Sequence, residues 1–325
     1  MTKLWREAKP EQFASTVLVV AEQLDVTPLA VEKDYWVCEV LRGISEKHPG
    51  RIIFKGGTSL EKLRIIERFS EDLDLLLVDR DDSSRAPKKA MKRIMRDAGV
   101  FIGTDVTSPE SGGGPGWFHR KGYLVPSLAH SKARPEAIAD PASVLLELGQ
   151  SGGSDPHDLR PISSLMSRQL QAAGFNTDVW DDLQEFDFLI LHPGRTLIEK
   201  LLRINNFATD PQGTHGLPRI GRQFYDIYQL LKTDEVRELL ADKERGGQIL
   251  ESCYRVSEAF GGDEKPPKGG FSQCAAFDPD SAIAEELAHQ HGIAMEQLYY
   301  GSEPAPTFNR ILDQIHKDSA LLNIR

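Results

Sequence analysis

"FKGGTSLEKLRIIERFSEDLDLLLVD", residues 54–79, decides how this chain folds. A short apolar run, Ile52–Phe54, enters a Gly56-Gly57 turn. Thr58 and Ser59 then open a helical stretch from Leu60 to Ile66. A second apolar run, Leu73–Val78, follows the acidic pair of Asp72-Leu73-Asp74. Apolar runs of this length, bounded by turn signals, read as buried strands. Carboxylates at i and i+2 on a strand point to one face. Together in water they repel, and a divalent cation removes that cost. Mg²⁺ suits hard oxygen ligands and typically takes one or two carboxylates plus substrate phosphates. Glycines let backbone approach a phosphate closely, and helix N-terminal N–H groups attract it. The order strand, glycine turn, helix, Asp-x-Asp strand therefore describes a site for a metal-bound nucleoside triphosphate. Singly, each feature has a plainer reading: Gly-Gly-Thr-Ser as a turn with a helix cap, Asp-x-Asp as a solvated strand end. Their combination, and the placing of the pair between Leu73 and Leu75 on a buried strand where unpaired charge is costly, favours the site.

The rest of the chain bounds this reading. It has 325 residues, 40% hydrophobic and 27% charged, with net charge −10, so the surface as a whole does not advertise nucleic-acid or anionic-membrane binding. Cys38, Cys253 and Cys274 are far apart, which argues against a disulfide framework or zinc ribbon. The start, "MTKLWREAKPEQ", lacks the apolar core of a secretory signal, and no apolar run approaches the length of a membrane span, so the expectation is a cytoplasmic protein with no membrane partner. Helical periodicity covers residues 10–46 in two helices, the second opened by Thr27-Pro28 as cap and first residue. Residues 123–125, 144–148 and 186–191 read as further strands, and 85–96 as a basic helix. "SGGGPG" (111–116), "QSGGSDPHD" (150–158) and "GGDEKPPKGGFSQ" (261–273) read as loops. Helices dominate after residue 192. The expected fold is α+β: a mixed-sheet lobe with N-terminal helices over 1–192, then a mainly helical lobe over 193–325.

The order "GGTSL", then "RFSEDLDL", resembles the nucleotidyltransferase superfamily signature. More narrowly, with "VEKDYWVCEVL" (31–41), "RTLIEKLLRIN" (195–205) and "RQFYDIYQLL" (222–231), the chain resembles the AbiEii/AbiGii toxin family of AbiE-type toxin–antitoxin pairs, which belong to the type IV systems tied to abortive infection and phage defence. The resemblance spans roughly residues 28–232; residues 233–325 carry no matching motif. It implies a nucleotidyltransferase-like lobe with the NTP in a cleft against the helical lobe. It implies Mg²⁺ on Asp72 and Asp74, and a triphosphate cradle at Gly56, Gly57, Thr58 and Ser59. It also implies nucleotide transfer to RNA, with tRNA the leading target, and a cognate antitoxin partner. A rival enzyme would transfer a nucleotidyl or phosphoryl group to a protein or small molecule, and a non-enzymatic rival would be a nucleotide-binding regulator. Which NTP, which acceptor, which antitoxin and which oligomeric state are not written in these residues.

The resemblance also nominates single residues. Glu147 in "VLLELG" is the candidate third carboxylate, to help bind metal or activate the attacking hydroxyl, against an edge-strand surface glutamate. Lys200 is the candidate phosphate-binding lysine, against a solvated or snorkelling one; both readings keep it on an exposed helix face. Asp226 is the candidate cleft aspartate, against an i,i+4 ion pair with Arg222. Periodicity alone reads Lys33 and Asp34 as outward charges of an amphipathic helix; the resemblance packs that helix behind the glycine turn and gives the pair a structural role. Arg68 and Ser70 flank the acidic pair and are placed to orient it. "RAPKKAMKRIMRDA" (85–98) reads either as a solvated charged face or as a landing strip for an RNA backbone.

Overall fold

A computed structural model of the protein describes residues 3–70, 72–78, 86–107, 119–128, 130, 142–150, 153–209, 220–259 and 265–324. The loop expected at 111–116, residues 151–152 of the second expected loop, residues 261–264 of the third and the first residue of the basic segment lie outside these. The chain divides into two compact units. The first comprises 1–63, 69–151 and 157–190; the second comprises 64–68, 152–156 and 191–325.

The first unit holds helices α1 (Trp5–Ala8), α2 (Pro10–Leu24), α3 (Pro28–Lys47), α4 (Gly56–Lys62), α5 (Ala86–Phe101) and α6 (Leu165–Ala172). Its strands are β1 (Ile52–Lys55), β2 (Leu73–Leu77), β3 (Val106–Thr107), β4 (His119–Leu124), β5 (Val144–Gly149), β6 (His157–Ile162) and β7 (Phe186–Leu191). They form one mixed sheet in the order β3-β4-β5-β2-β1-β7-β6. β1 runs antiparallel to β2 and parallel to β7; β5 runs parallel to β2 and antiparallel to β4. The fold class is α+β, as the sequence implied.

Alternation along the strands gives the sheet two unlike faces. Ile52, Phe54, Leu73, Leu75, Leu77, Val144, Leu146 and Leu148 belong to one buried core with side chains of α3 and α5 such as Val37, Leu41, Met91, Ile94 and Met95. Asp74 and Glu147 alternate out of that core and are only partly buried. The helix after the glycine turn begins at Gly56, four residues before the expected Leu60, and ends at Lys62 instead of reaching Ile66. Strand β6 falls at the end of a stretch expected to be an exposed loop; its mostly exposed residues give no apolar signal to read.

α3 departs most from expectation. Thr27 caps it, accepting from the Ala30 N–H at 3.2 Å, with Pro28 at its first position, as the sequence implied. The helix is not amphipathic: every residue from Leu29 to Ile44 is buried. Lys33 and Asp34, expected outside, are 1% and 3% exposed. The buried charges have partners, most of them distant in sequence. Glu39 receives Arg6 at 2.7 Å and Arg42 at 3.0 Å, and Glu32 lies 3.1 Å from the His130 ring.

The second unit is helical: α7 (Pro193–Thr209), α8 (Gly221–Lys232), α9 (Asp234–Ala241), α10 (Lys243–Ala259), α11 (Ala284–Leu298), α12 (Phe308–Lys317) and α13 (Ser319–Leu322). α7 and α8 are its centre, with Leu197, Leu201, Ile204, Phe224, Ile227 and Leu231 all fully buried. Phe224 packs edge-on to Phe277 and Phe308, with ring centroids 5.8 and 5.0 Å apart. Among the described residues no single helix is long and apolar enough to cross a membrane.

Candidate functional site

Strand register builds a charged row across the first unit's sheet. Lys121 on β4 pairs with Glu147 on β5, Glu147 with Asp74 on β2, and Asp74 with Lys55 on β1. Register partners on neighbouring strands share a face, so the row reads Lys121, Glu147, Asp74, Lys55. Glu147 is therefore not on an edge strand, because β5 lies between β4 and β2. The Lys121 ammonium donates to Glu147 Oε1. Its pKa is raised, chiefly by that hydrogen bond and against some desolvation, with Asp72 among the further charges that raise it. Asp72 sits just before β2 and is likewise only partly buried. Among the described residues no three His, Cys, Asp or Glu side chains gather as a metal-binding group.

The glycine turn is built against this row. Gly56 has φ +80°, and a Cβ there would stand 2.3 Å from Asp74 Oδ2. The glycine is thus required twice, for its backbone conformation and for the close approach of the carboxylate. Thr58 and Ser59 are buried. Thr58 Oγ1 donates to the Asp72 carbonyl at 2.7 Å, which leaves it to accept from the Ser70 hydroxyl 2.9 Å away. Ser59 donates to the Gly56 carbonyl at 2.9 Å. Thr58 fastens the turn to the acidic segment, and Ser59 closes the turn on itself. Gly56 and Gly57 remain partly accessible.

Behind the turn lies a sealed charge network. Lys62 of α4 reaches Asp34 of α3, and also Glu61 at 2.9 Å. Glu61 in turn receives Arg168 of α6, while Asp34 Oδ2 accepts from the Leu165 N–H at 2.6 Å. Burial alone would push Glu61 upward, but Arg168 and Lys62 outweigh it and hold the carboxyl at about 2. Desolvation pushes Asp34 up, against the pull of Lys62. α3 thus does stand behind the glycine turn, fixed to it by charge pairs that no local pattern announces.

In the second unit, Asp226 of α8 is 0% exposed. It accepts from Arg68 Nε and Nη2, both at 2.6 Å, and from Lys200 Nζ at 2.7 Å. Lys200 also donates to Gln223 Oε1 at 2.7 Å. Arg68, expected to orient the acidic pair, directs its guanidinium to Asp226. Lys200 is 8% exposed, so it is not on an open helix face. Desolvation lowers its pKa despite the pull of Asp226. Desolvation raises that of Asp226, but Arg68 and Lys200 outweigh it and the net shift is downward.

On α5, Lys89, Lys92, Arg93 and Arg96 recur at i, i+3, i+4 and i+7 and line a groove of about 440 Å³ floored by Met95, Val100 and Val106. α5 packs on the sheet face opposite Asp74 and Glu147, since Met91, Ile94 and Met95 share the core of Leu73, Leu75, Leu146 and Leu148. The basic segment and the carboxylate row therefore occupy opposite sides of the sheet. Lys55, Lys121, Glu61 and Arg168 were not singled out from the sequence; cross-strand register and long-range pairing, which place them, leave no local signal.

Residues 40–314 match the family model described as nucleotidyl transferase AbiEii toxin, type IV TA system. A search of curated proteins found no match. The matched segment covers most of the chain, which therefore belongs to the AbiEii nucleotidyltransferase toxin family of type IV toxin–antitoxin systems.

Proposed function

We propose that this family member acts in the cytoplasm as a Mg²⁺-dependent enzyme that transfers a nucleotide from an NTP to RNA, with tRNA the leading acceptor, and that a cognate antitoxin restrains the resulting growth arrest. The observation that carries the reading is the register of Asp74 with Glu147 beside the Gly56 turn. The donor set fits the metal: Asp74, on the sheet face turned away from the core, and Asp72, which directly precedes the strand, offer partly exposed hard oxygens. Those two residues would hold Mg²⁺, which when bound neutralises phosphate charge.

The chain's own residues do the rest by positioning and electrostatics. Thr58 and Ser59 hold the turn, so that backbone at Gly56 and Gly57 cradles the phosphates. Glu147 accepts the proton of the acceptor hydroxyl as that oxygen attacks the α-phosphorus and pyrophosphate leaves. The family resemblance assigns Lys200 to the triphosphate, with Asp226 fixing the ammonium.

The test is incubation of the protein with each labelled NTP, Mg²⁺ and total RNA. Label on RNA that disappears with Asp74→Asn supports the reading. Label on protein or a small molecule, or nucleotide binding without transfer, overturns it in favour of the corresponding rival.

A further inference from the structure

We infer that the groove along α5 is a docking site for the phosphate backbone of the RNA acceptor, on the side of the sheet opposite the carboxylate row. The inference rests on the reading that the acceptor is RNA, and goes beyond it by saying where the body of that RNA is held.

A chain of net charge −10 repels a polyanion as a whole, so holding RNA requires a surface where the local sign is reversed. α5 supplies one. Lys89, Lys92, Arg93 and Arg96 line the groove and are all exposed. At i, i+3, i+4 and i+7 their neighbouring Cβ atoms lie about 5–6 Å apart, close to the step between phosphates of one strand. Charged helix faces are often laced by ion pairs, but this one is not. Among the described residues Arg96 pairs with Asp97, while Lys89, Lys92 and Arg93 enter no ion pair. Asp105 is the one carboxylate among the lining residues, set against the four cations. The opposite side of α5 is anchored, with Met91, Ile94, Met95 and Ala98 in the core of the sheet. The cations therefore stand on a rigid element that loses little order on binding. The lining also discriminates between polyanions. No aromatic side chain lines the groove, so an unpaired base has no platform to stack on. Cations without such a platform read backbone, as proteins do on paired RNA. An acidic amphipathic helix would need apolar pockets for anchors at i, i+3 or i+4, and i+7. Here Met95 is buried, Val106 is partly accessible, and Val100 alone of the apolar lining is exposed, so charge dominates the surface. Because the groove and the carboxylate row lie on opposite sides of the sheet, one RNA reaches both only if it is long enough to pass around the sheet's edge. A folded RNA arm meets that condition and a short oligonucleotide does not.

The test is binding of an unfractionated tRNA pool to the full-length protein over a salt series, beside steady-state transfer. In the wild type, log affinity should fall steeply with log salt. Lys89→Gln/Lys92→Gln/Arg93→Gln removes three charges and keeps good helix formers on an exposed face. It should flatten the slope by roughly two to three and weaken binding at low salt at least about ten-fold. Its KM for RNA should rise while kcat and the KM for NTP hold. Val100→Glu, which adds a carboxylate to the groove and removes no cation, should weaken tRNA binding as well. Lys9→Gln/Lys268→Gln/Lys317→Gln changes net charge equally at exposed positions elsewhere and should leave the slope nearly unchanged. An unchanged slope in the groove variant, or equal flattening in the control, would overturn the inference while leaving RNA transfer standing. So would a groove variant that loses binding to poly-L-glutamate but keeps its tRNA slope, which would assign the groove to an acidic protein segment. A wild type that neither binds nor labels RNA would remove the RNA reading itself, and the inference with it.

Discussion

Asp226 and Glu147 are both carboxylates paired with a lysine, yet their surroundings differ at every step. Asp226 is fully buried on α8 and takes two bonds from Arg68 and one from Lys200. Glu147 stands partly in solvent on β5 and has a single half-exposed lysine. A sealed ion cluster is tied to the fold, since removing one member leaves the others charged and dry. An ion pair at the solvent's edge adds little to stability, and its members can exchange partners. The comparison separates two meanings of a charged residue in a family motif. In the second unit the motif residues Lys200 and Asp226 tie α7 to α8; in the first, Asp34 of α3 is sealed in the same way, whereas Asp74 and Glu147 stand partly in solvent.

The largest effect on stability should come from Asp226→Ala. It strands Arg68 and Lys200 without their shared carboxylate and should cost about 3–5 kcal/mol, read as a large fall in melting temperature. A small fall would mean the cluster is wetter than its burial implies. The same group sets an acid limb. Its folded pKa is depressed below the unfolded value of about 3.9. Its contribution is therefore complete above that value and is lost as pH falls through the folded pKa. In Asp226→Asn that part of the acid destabilisation should be missing from a pH series of denaturant midpoints.

Lys200→Met should rank second. Asp226 keeps both Arg68 bonds, so the main loss is its charged bond to the ammonium, about 1.5–3 kcal/mol, with the bond to Gln223 lost besides. This departs from what an open-face lysine would do, and burial is the reason. If Lys200 also contacts the triphosphate, kcat/KM should fall roughly ten- to hundred-fold under conditions where the variant is fully folded. Lys200→Arg should recover only part of that, since a planar fork does not copy a point charge. Full activity in a less stable protein would confine Lys200 to the structural side of the comparison.

Gly56→Ala probes the boundary between the two kinds of site. The new Cβ would meet Asp74 Oδ2 at 2.3 Å, at a backbone angle of +80°. Strain at such a position costs about 1–3 kcal/mol, so the melting temperature should fall modestly. The carboxylate must move to make room, so transfer should fall far more than stability. Parallel, small losses of both would show that the row tolerates displacement and that its geometry is not critical.

What the sequence made legible follows the same division. Strands β1 and β2 could be read because IIFK and LDLLL are apolar and bounded by turns. Strand periodicity turns Asp74 away from the core, and Asp72 lies one residue before the strand begins. Strand β6 could not be read, because HDLRPI is largely exposed and polar. Helical periodicity alone turns the charges of α3 outward, because it carries no information about Arg6, Lys62 or His130, their partners from other elements; only the motif pointed to a structural role for Lys33 and Asp34. The lysine opposite Glu147 is a matter of register between residues 26 apart in sequence. Local pattern thus recovers what a residue's neighbours in sequence decide, and misses what pairing decides.

The smallest effect on stability should belong to the residue with the largest effect on transfer. Asp74→Asn keeps the shape and polarity of a partly exposed side chain and removes one charge from a row where like charges sit side by side. No cavity opens and no sealed partner is stranded, so the melting temperature should stay within the range of ordinary surface substitutions, about ±0.5 kcal/mol. Relief of repulsion from Glu147 offsets part of whatever attraction to Lys55 is lost. Transfer should nevertheless vanish, because a neutral amide is a poor ligand for Mg²⁺ and cannot supply the charge that holds the ion against water. Asp72→Asn should behave alike, which separates loss of the ion from any local effect of the Gly56 contact, since the Gly56 Cβ position meets Asp74. A folded Asp74→Asn protein that still labels RNA would break the comparison at its functional end. The half-exposed carboxylates would then be surface charge like any other, and the chemistry of the chain would have to lie elsewhere.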